Sequence, residues 1–398
     1  MRVTQASEQT QFLSTLETLE SNISQTQNQI SSGLAFTSPS ENPEAAGAVV
    51  NYDQALAQSE QYSTNANAAK TGLTTEDTAL TQVQTQLQTL RDLALEANSG
   101  TASTQNLSSI ATQAEAIQTS LLSLANTQDG NGNYIFAGYA AQTQPFTLTA
   151  TGASYAGDQG QTQVQIAAGQ TIATGDNGDA VFNQIPTGNG TFTVAANTAN
   201  TGTGIIGATT VSNASAYTGG TYSINFTGPN AYQVLNSASA VVTSGTYTSG
   251  QTIAFSGLQV TLTGQPAAGD SFAVAPSTNQ SLFTTVQNLV TALQAGVNDS
   301  ASDAQLNNSI STAVNNIDQA LNQASTIQSG VGGRLNSITT ALSVQSSQQT
   351  QLQTSISSLQ GLDYASAITS LDSQNTTLSA AMQAFTLTQG LTLFKYIS

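Results

Sequence analysis

The feature that most limits what this chain can become is a change of period along it. Near the start, Phe12, Leu16, Leu19, Ile23 and Ile30 recur at steps of four, three, four and seven. That is the a/d seam of a heptad repeat, and Gly33 follows where a helix C-terminus needs a residue free to turn left-handed. Two further amphipathic series come next: Leu80, Val83, Leu87, Leu90, Ala94 and Ala97, then Leu107, Ile110, Ala114, Ile117, Leu121 and Leu124. The last part of the chain mirrors the first. Leu306, Ile310, Val314, Ile317, Leu321 and Ala324 form one stripe, and Leu335, Ile338 and Leu342 lead through Gln345 and Gln349 to Leu352, Ile356 and Leu359. Tyr364, Ile368, Leu371, Leu378, Met382 and Phe385 then close the pattern. Between about 147 and 278 the period falls to two, as in QTQVQIAAG, GTFTVAA, TYSINFTG and GLQVTLTG, with Gly, Asn, Asp and Pro between the runs.

Helices on both sides of a β stretch predict an α+β fold. The N- and C-terminal regions form a long antiparallel coiled coil or bundle, and an all-β outer domain is inserted between them. The expected parts are a terminal helical domain at 1–42 and 355–398, a helical bundle at 43–147 and 279–354, and a β insert at 148–278. An isolated amphipathic helix orders more backbone than its seam repays, so the two ends are expected to pair. A two-helix stalk still leaves flanking apolar positions uncovered, among them Leu13, Leu387, Leu391, Leu393 and Phe394, which predicts contact with further copies. The candidate assembly residues are Phe12, Leu16, Leu19, Ile23, Ile30, Ile368, Leu371, Leu378, Met382, Phe385, Leu391, Leu393 and Phe394.

The stretch SSGLAFTSPSENPEAAG, residues 31–47, interrupts the helices with two prolines. Gly33 stops the first helix, while Pro39 and Pro43 favour extended backbone at Ser38 and Asn42. Ser40 with Glu44 offers a cap for the next helix. Gly33, Pro39, Ser40, Glu41, Asn42 and Pro43 are therefore read as a connecting segment.

Composition narrows the chemistry. Five Lys plus Arg stand against 22 Asp plus Glu, a formal net charge of −17, which disfavours nucleic acid and anionic membranes as partners. Cysteine and histidine are both absent, removing disulfides, thiol nucleophiles, imidazole bases and the usual zinc ligands. The opening MRVTQASEQTQFLSTLETLES has no apolar run long enough for a signal peptide or a membrane span.

No motif in the chain argues for an enzyme or a cofactor. Gly202, Gly204 and Gly207 match G-x-G-x-x-G, but no helical pattern follows. Asp176 and Asp179 with Asn177 could hold Ca²⁺, yet such residues are equally at home in metal-free turns. The carboxylates of the β stretch, Asp158, Asp176, Asp179 and Asp270, are too few to favour a hydrolase cleft. Tyr134, Phe136, Tyr139 and Phe146 sit where helix gives way to strand and are expected to pack that junction.

These residues carry a resemblance. QISSGLAFTSPSENPEAAGAVV resembles the segment after the first helix of bacterial flagellins and hook-associated proteins, the flagellin-like superfamily. ANTQDGNGNYIFAGYAAQTQPF at 125–146, GGRLNSITTALSVQ at 332–345 and the closing GLTLFKYIS are similar to the hook-filament junction family, hook-associated proteins type 3. The likeness covers about 1–147 and 279–398; the β insert matches no named pattern. The family's usual double acid before proline appears as Glu41-Asn42, so a salt bridge there does not carry over. The resemblance implies a passive structural subunit that polymerises through its terminal helices into a ring or helical layer, between another hook-associated protein and flagellin. It further implies export through the flagellar type III channel without a cleaved signal, an export chaperone, and an extracellular location. It makes residues 33–43 a spoke between an inner coiled coil and an outer bundle. Flagellin itself is the neighbouring reading; a different one is a surface glycan-binding or adhesin module carried by the β insert on a helical stalk.

Every Lys and Arg is at position 2, 70, 91, 334 or 395, leaving none from Asp92 to Gly333. Limited trypsin digestion of the monomer is therefore expected to trim the ends and leave a block bounded near Arg91 and Arg334. Rapid cutting at Lys70 and Arg91 with Arg2 and Lys395 protected would contradict mobile ends.

Overall fold

The computed structural model describes residues 5–99 and 103–397, with the side chains of 5, 6 and 388–397 left aside. Among the described residues, six α-helices carry the chain: α1 (Gln5–Ser32), α2 (Pro43–Ala97), α3 (Thr104–Ala125), α4 (Leu282–Gln294), α5 (Ser300–Gln360) and α6 (Tyr364–Ile397). Contacts divide it into two compact units. One comprises residues up to Thr64 together with those from Ala341 onward; the other is Asn65–Thr340. The sequence-based divisions at 42/43 and 354/355 fall within the first unit.

The apolar stripes sit where their spacing requires. Leu80, Val83, Leu87, Leu90, Ala94 and Ala97 of α2 are all buried, as are Leu107, Ile110, Ala114, Ile117 and Leu121 of α3. The 55-residue α2 starts well before the first strong stripe. Over 43–79 its buried face is made mostly of small or polar residues, Ala45, Val49, Ser59, Ala66, Ala69, Leu73 and Glu76, so hydrophobic periodicity is faint there. Helix α4 has no counterpart in the expected series, although Leu282, Phe283, Val286, Leu289, Val290 and Leu293 form a buried face at helical spacing. It packs on α3.

The insert is all antiparallel and has two parts. First come short hairpins, β1 (Phe146–Thr149) with β2 (Gly152–Tyr155) and β3 (Gln163–Ala167) with β4 (Gln170–Ala173). After a π-helical turn at Asp179–Asn183 and β5 (Ile185–Pro186) comes a larger body. Its strands are β6 (Phe192–Ala196), β7 (Ile205–Val211), β8 (Tyr222–Gly228), β9 (Ala231–Asn236), β10 (Val241–Thr246), β11 (Thr252–Phe255), β12 (Leu258–Thr263) and β13 (Ser271–Pro276). A five-stranded sheet, ordered β10-β9-β8-β13-β6, and a three-stranded sheet, β11-β12-β7, contribute to one core. That core contains Phe192, Ile224, Phe226, Val234, Leu258, Val260, Leu262 and Phe272. β14 (Asn279–Gln280) pairs with β5 and returns the chain to α4.

The helix-to-sheet junction is an aromatic knot. Phe136, Phe146, Phe182 and Phe283 are fully buried, with ring centroids 5.3–6.1 Å apart in the contacting pairs. Tyr155 tilts against Phe146 and donates its hydroxyl to the carbonyls of Phe136 and Asp158 at 3.0 and 2.7 Å. Burial pushes that phenol up to about 12. Of the four aromatic residues expected here, Phe136 and Phe146 pack the knot, Tyr134 is half-buried and Tyr139 stays 68% exposed.

The larger β body is tied to α5 by side-chain amides, a device the apolar pattern does not reveal. Asn308 Oδ1 accepts from the Ile206 N–H at 2.7 Å while its Nδ2 donates to the Gly204 carbonyl at 2.9 Å, as a neighbouring strand would. Asn316 accepts from the Gly188 N–H, Gln305 donates to the Thr198 and Asn200 carbonyls, and Gln323 donates to the Ala180 carbonyl. Residues 305, 308, 316 and 323 share one stripe of the helix, beside the apolar one. The glycines of TGTGIIG serve this packing and cradle no phosphate: Gly207 lies inside β7, and a Cβ on Gly202 would meet the Ala267 backbone and the Asp270 carboxylate. Asp270, buried, accepts from the Thr201, Gly202 and Ala267 N–H groups.

Asn308→Ala leaves two buried backbone groups unpaired and is expected to cost about 1–3 kcal/mol. Ser309→Ala, whose exposed hydroxyl only back-bonds to Gln305, is expected to stay within about 0.5 kcal/mol. Urea midpoints of the two variants against the parent chain check this.

Candidate assembly interface

α1 and α6 pair antiparallel over their lengths. Phe12 stacks on Phe385 with centroids 4.7 Å apart and rings 5° from parallel. Further along, the Thr26 hydroxyl donates to Gln374 Oε1 at 3.2 Å, and at the base Leu34 bridges Gly361. The seam is thin. Ile23 and Thr26 are buried, whereas Phe12, Leu16, Leu19, Ile30, Leu371, Leu378 and Phe385 are only half-buried. Thr26 fills the heptad position between Ile23 and Ile30 that lacks an apolar residue.

Two of the candidate assembly residues face away from the α1–α6 seam: Ile368 is 50% and Met382 52% exposed. The reason is geometric, because one partner helix covers only a narrow stripe and residues rotated to its edge around the helix face away from it. Leu13 and Leu387 are exposed as expected, at 47% and 69%. The side chains of Leu391, Leu393 and Phe394 lie outside the described residues.

The connecting segment is shorter and more ordered than its two prolines suggest. Gly33 takes φ +71°, and its N–H closes α1 on the Gln29 carbonyl at 2.8 Å. A side chain there would strike Tyr364. The Ala35 N–H donates to Gln360 O at 2.7 Å and the Leu362 N–H to Gly33 O at 3.1 Å, so the α1–α2 and α5–α6 links pair as backbone. Phe36 seals the underside with Ala45, Val49, Ile356 and Leu359.

The expected cap needs correction. Pro43 is the first helical residue of α2, a position that suits its fixed φ and missing N–H. Asn42 caps the helix, its Oδ1 accepting from the Ala45 N–H at 3.1 Å. Ser40 instead bonds Ser38 across a turn at 2.6 Å, and Glu41 accepts from the Thr37 N–H and hydroxyl. Asn42 thus supplies a capping oxygen without a charge.

Beyond the connecting segment, α2 and α5 meet in the same unit through a polar layer. The Ser63 hydroxyl donates to Gln345 Oε1 at 2.7 Å, and Gln349 Nε2 donates to the hydroxyls of Ser59 and Ser63. Gln345 and Gln349, which continue the heptad in place of apolar residues, therefore set register at a cost in apolar burial.

In the second unit lies a charged cluster that no sequence motif marks. Glu76 of α2 is buried, its Oε1 accepting from the Asp176 N–H at 3.2 Å. Asp176 is ion-paired to Arg334 of α5 and accepts from Gln161 Nε2 at 2.8 Å. Burial first, and the Asp176 charge second, push the Glu76 carboxyl up to about 9 from its ordinary 4.5. The sequence signal was an acid on the buried face of α2, four residues from Gly72. Asp179 is occupied by Gln159, Asn183 and Gln184, and among the described residues no three acids converge as a metal site.

Comparison with known proteins separates the helical ends from the insert. Residues 3–141 match the model of the bacterial flagellin N-terminal helical region and 314–397 that of the C-terminal helical region. Flagellar hook-associated protein 3 from Salmonella typhimurium is 39% identical over 157 residues, and that from Escherichia coli is 36% identical over the same length. The matched part is 39% of this chain and spans about half, 49%, of those relatives. Solved structures reach further. The flagellar hook associated protein-3 of Legionella pneumophila is 30% identical with a TM-score of 0.73, over 78% of this chain and 98% of that one. Xanthomonas campestris FlgL is 32% identical with a TM-score of 0.73, over 77% of this chain and 99% of that one. The chain belongs to the hook-associated protein 3 family.

Within the hook-associated protein 3 family, the flagellin-like part of this chain is residues 3–141 and 314–397, which carry α1, α2, α3, most of α5 and α6. The insert, which matched no named pattern in the sequence, matches at 195–276 the D2-like domain model of flagellar hook-associated protein 1. Among the described residues no helix is long and apolar enough to cross a membrane.

Because folded Glu76 keeps its proton to about 9 and an unfolded one loses it near 4.5, the unfolded chain binds fewer protons throughout that window. The Glu76 contribution to stability therefore falls as pH rises through it. Glu76→Gln, a neutral isostere, is expected to melt above the parent at pH 8 and to lose that advantage as pH falls toward 4.5. Calorimetric scans of both chains across the range check the sign.

Proposed function

We propose that this chain is a structural subunit of the hook-filament junction, polymerising through α1 and α6 rather than catalysing a reaction. The observation that carries the reading is the thin α1–α6 seam, which pairs the two chain ends yet leaves Leu13, Ile368, Met382 and Leu387 facing outward on both helices. Apolar residues spread along a two-helix stalk bury area only when further helices arrive, and a ring or helical layer of sister subunits supplies them. Phe12, Leu16, Leu19, Ile23, Ile30, Leu371, Leu378 and Phe385 then hold the pair, and the outward residues, with Leu391, Leu393 and Phe394, meet neighbouring copies.

In this reading residues 33–43 are the spoke between the terminal coiled coil and the rest of the chain. The subunit leaves the cell through the flagellar export channel, escorted by a chaperone. It seats between another hook-associated protein and flagellin outside the cell. A chain without cysteine suits passage as an unfolded thread.

Deletion of the gene is expected to abolish motility while flagellin accumulates in the medium. Complementation with Met382→Asp, which charges the outward face and spares the folded pair, is expected to fail, whereas Val241→Asp on exposed β10 restores swimming. Normal filaments on the hooks of the deletion strain would overturn the assignment.

A further inference from the structure

Glu76 opens onto a cavity of about 440 Å³ in the second unit, walled by α2, the 129–141 segment and the 160–162 and 174–176 strands' ends. The charged groups in its lining are all acids. Asp129, Asp176 and Glu76 bring three carboxyl groups, Asn131, Asn133, Gln161, Thr162 and Thr174 add neutral polar atoms, and no Lys or Arg lines it. Asp176 is already served by Arg334 and Gln161, and Asp129 by the backbone N–H groups of Asn131 and Asn133, which hold its carboxyl below the usual range. Glu76 is different. It is 1% exposed, and no donor of the protein reaches its Oε2.

Gly175 has an ordinary backbone conformation, so no left-handed turn demands glycine there. The place its absent Cβ would occupy lies 3.6 Å from Glu76 Oε2 and 3.8 Å from the Ile135 carbonyl oxygen. Both acceptors therefore border the cavity beside Gly175. A group with several N–H donors and a positive charge satisfies both and removes the cost of a buried unpaired oxygen. The net charge of −17 favours the approach of such a group.

We propose that this cavity binds a primary ammonium group, held by Glu76 Oε2 and the Ile135 carbonyl. Glu76 gives up its proton as the ammonium arrives, so one proton leaves for each cation bound and the local charge is conserved. The groups that share the field are Asp176 and Asp129 in the wall and Arg334 behind Asp176. The ammonium is carried either by a small free amine or by a lysine side chain of a partner.

The test is calorimetric titration of the full chain near pH 7.5 with n-butylamine, N-acetyl-lysine amide and, as the uncharged analogue, n-butanol. Expected is saturable amine binding that releases about one proton, read from buffers of different ionisation heat, with no response to butanol. Glu76→Gln and Gly175→Ala, whose new methyl meets only ordinary contacts, are each expected to weaken it at least about tenfold. Tighter binding of the blocked lysine assigns the site to a partner's side chain, and tighter binding of butylamine to a free amine. Equal binding of butanol, unchanged affinity in both variants, or no heat from either amine overturns the proposal. Should Glu76→Gln fail to fold, carboxyl-labelled glutamate in the parent chain decides it: the Glu76 carbon signal moves to the carboxylate position on amine addition, and a stationary signal sinks the idea.

Discussion

Phe12 and Phe385 lie at opposite ends of the sequence, and the stacking that joins them governs the rest of the first unit. Neither terminal helix holds enough apolar surface to stand alone, so each is helical because the other is present. Antiparallel pairing fixes which residues meet, and the short backbone ladder at Gly33, Ala35, Gln360 and Leu362 locks the base of the pair against slippage. From that base α2 and α5 run onward through polar layers at Ser59, Ser63, Gln345 and Gln349. Amides in a heptad core contribute little apolar burial but accept only one register, and register is what a long two-helix stalk most easily loses.

The second unit solves a different problem. A β body inserted into helices must be oriented, and apolar contact alone is poorly directional. Asn308 and its fellow amides on α5 supply direction by imitating a strand, each reaching a particular backbone group. The aromatic knot of Phe136, Phe146, Phe182 and Phe283 closes the place where helix becomes hairpin. Carboxylates across this unit are spent on backbone N–H groups and on Arg334 and Arg91, so a strongly acidic chain holds few carboxyl groups in tension. Glu76 is the exception, and its buried oxygen is where a cation has most to offer.

The helical stripes, the helix stop at Gly33, the strands and the family were all legible because each rests on a local period or a short motif. What escaped was written in weak letters. The first half of α2 buries alanine, serine and a single glutamate, which barely perturb a hydrophobic pattern. Asn42 was passed over as a cap because the acid-like pair Ser40 and Glu44 made a plausible rival, and only the turn at Ser38–Glu41 shows which side chain faces the helix. Ile368 and Met382 keep helical spacing whether they face a partner or solvent, so period could not place them.

By itself the sequence determined where the backbone is helical and where extended, since side-chain period and turn residues act over a few positions. It determined the bar on thiol, imidazole and zinc chemistry as well, since the residues are absent. Tertiary structure alone decided which stripe is covered, which amide reaches which strand, and that Glu76 shares a buried corner with Asp176 and Arg334. Those outcomes depend on distances between residues far apart in the chain, and neither composition nor period encodes a distance.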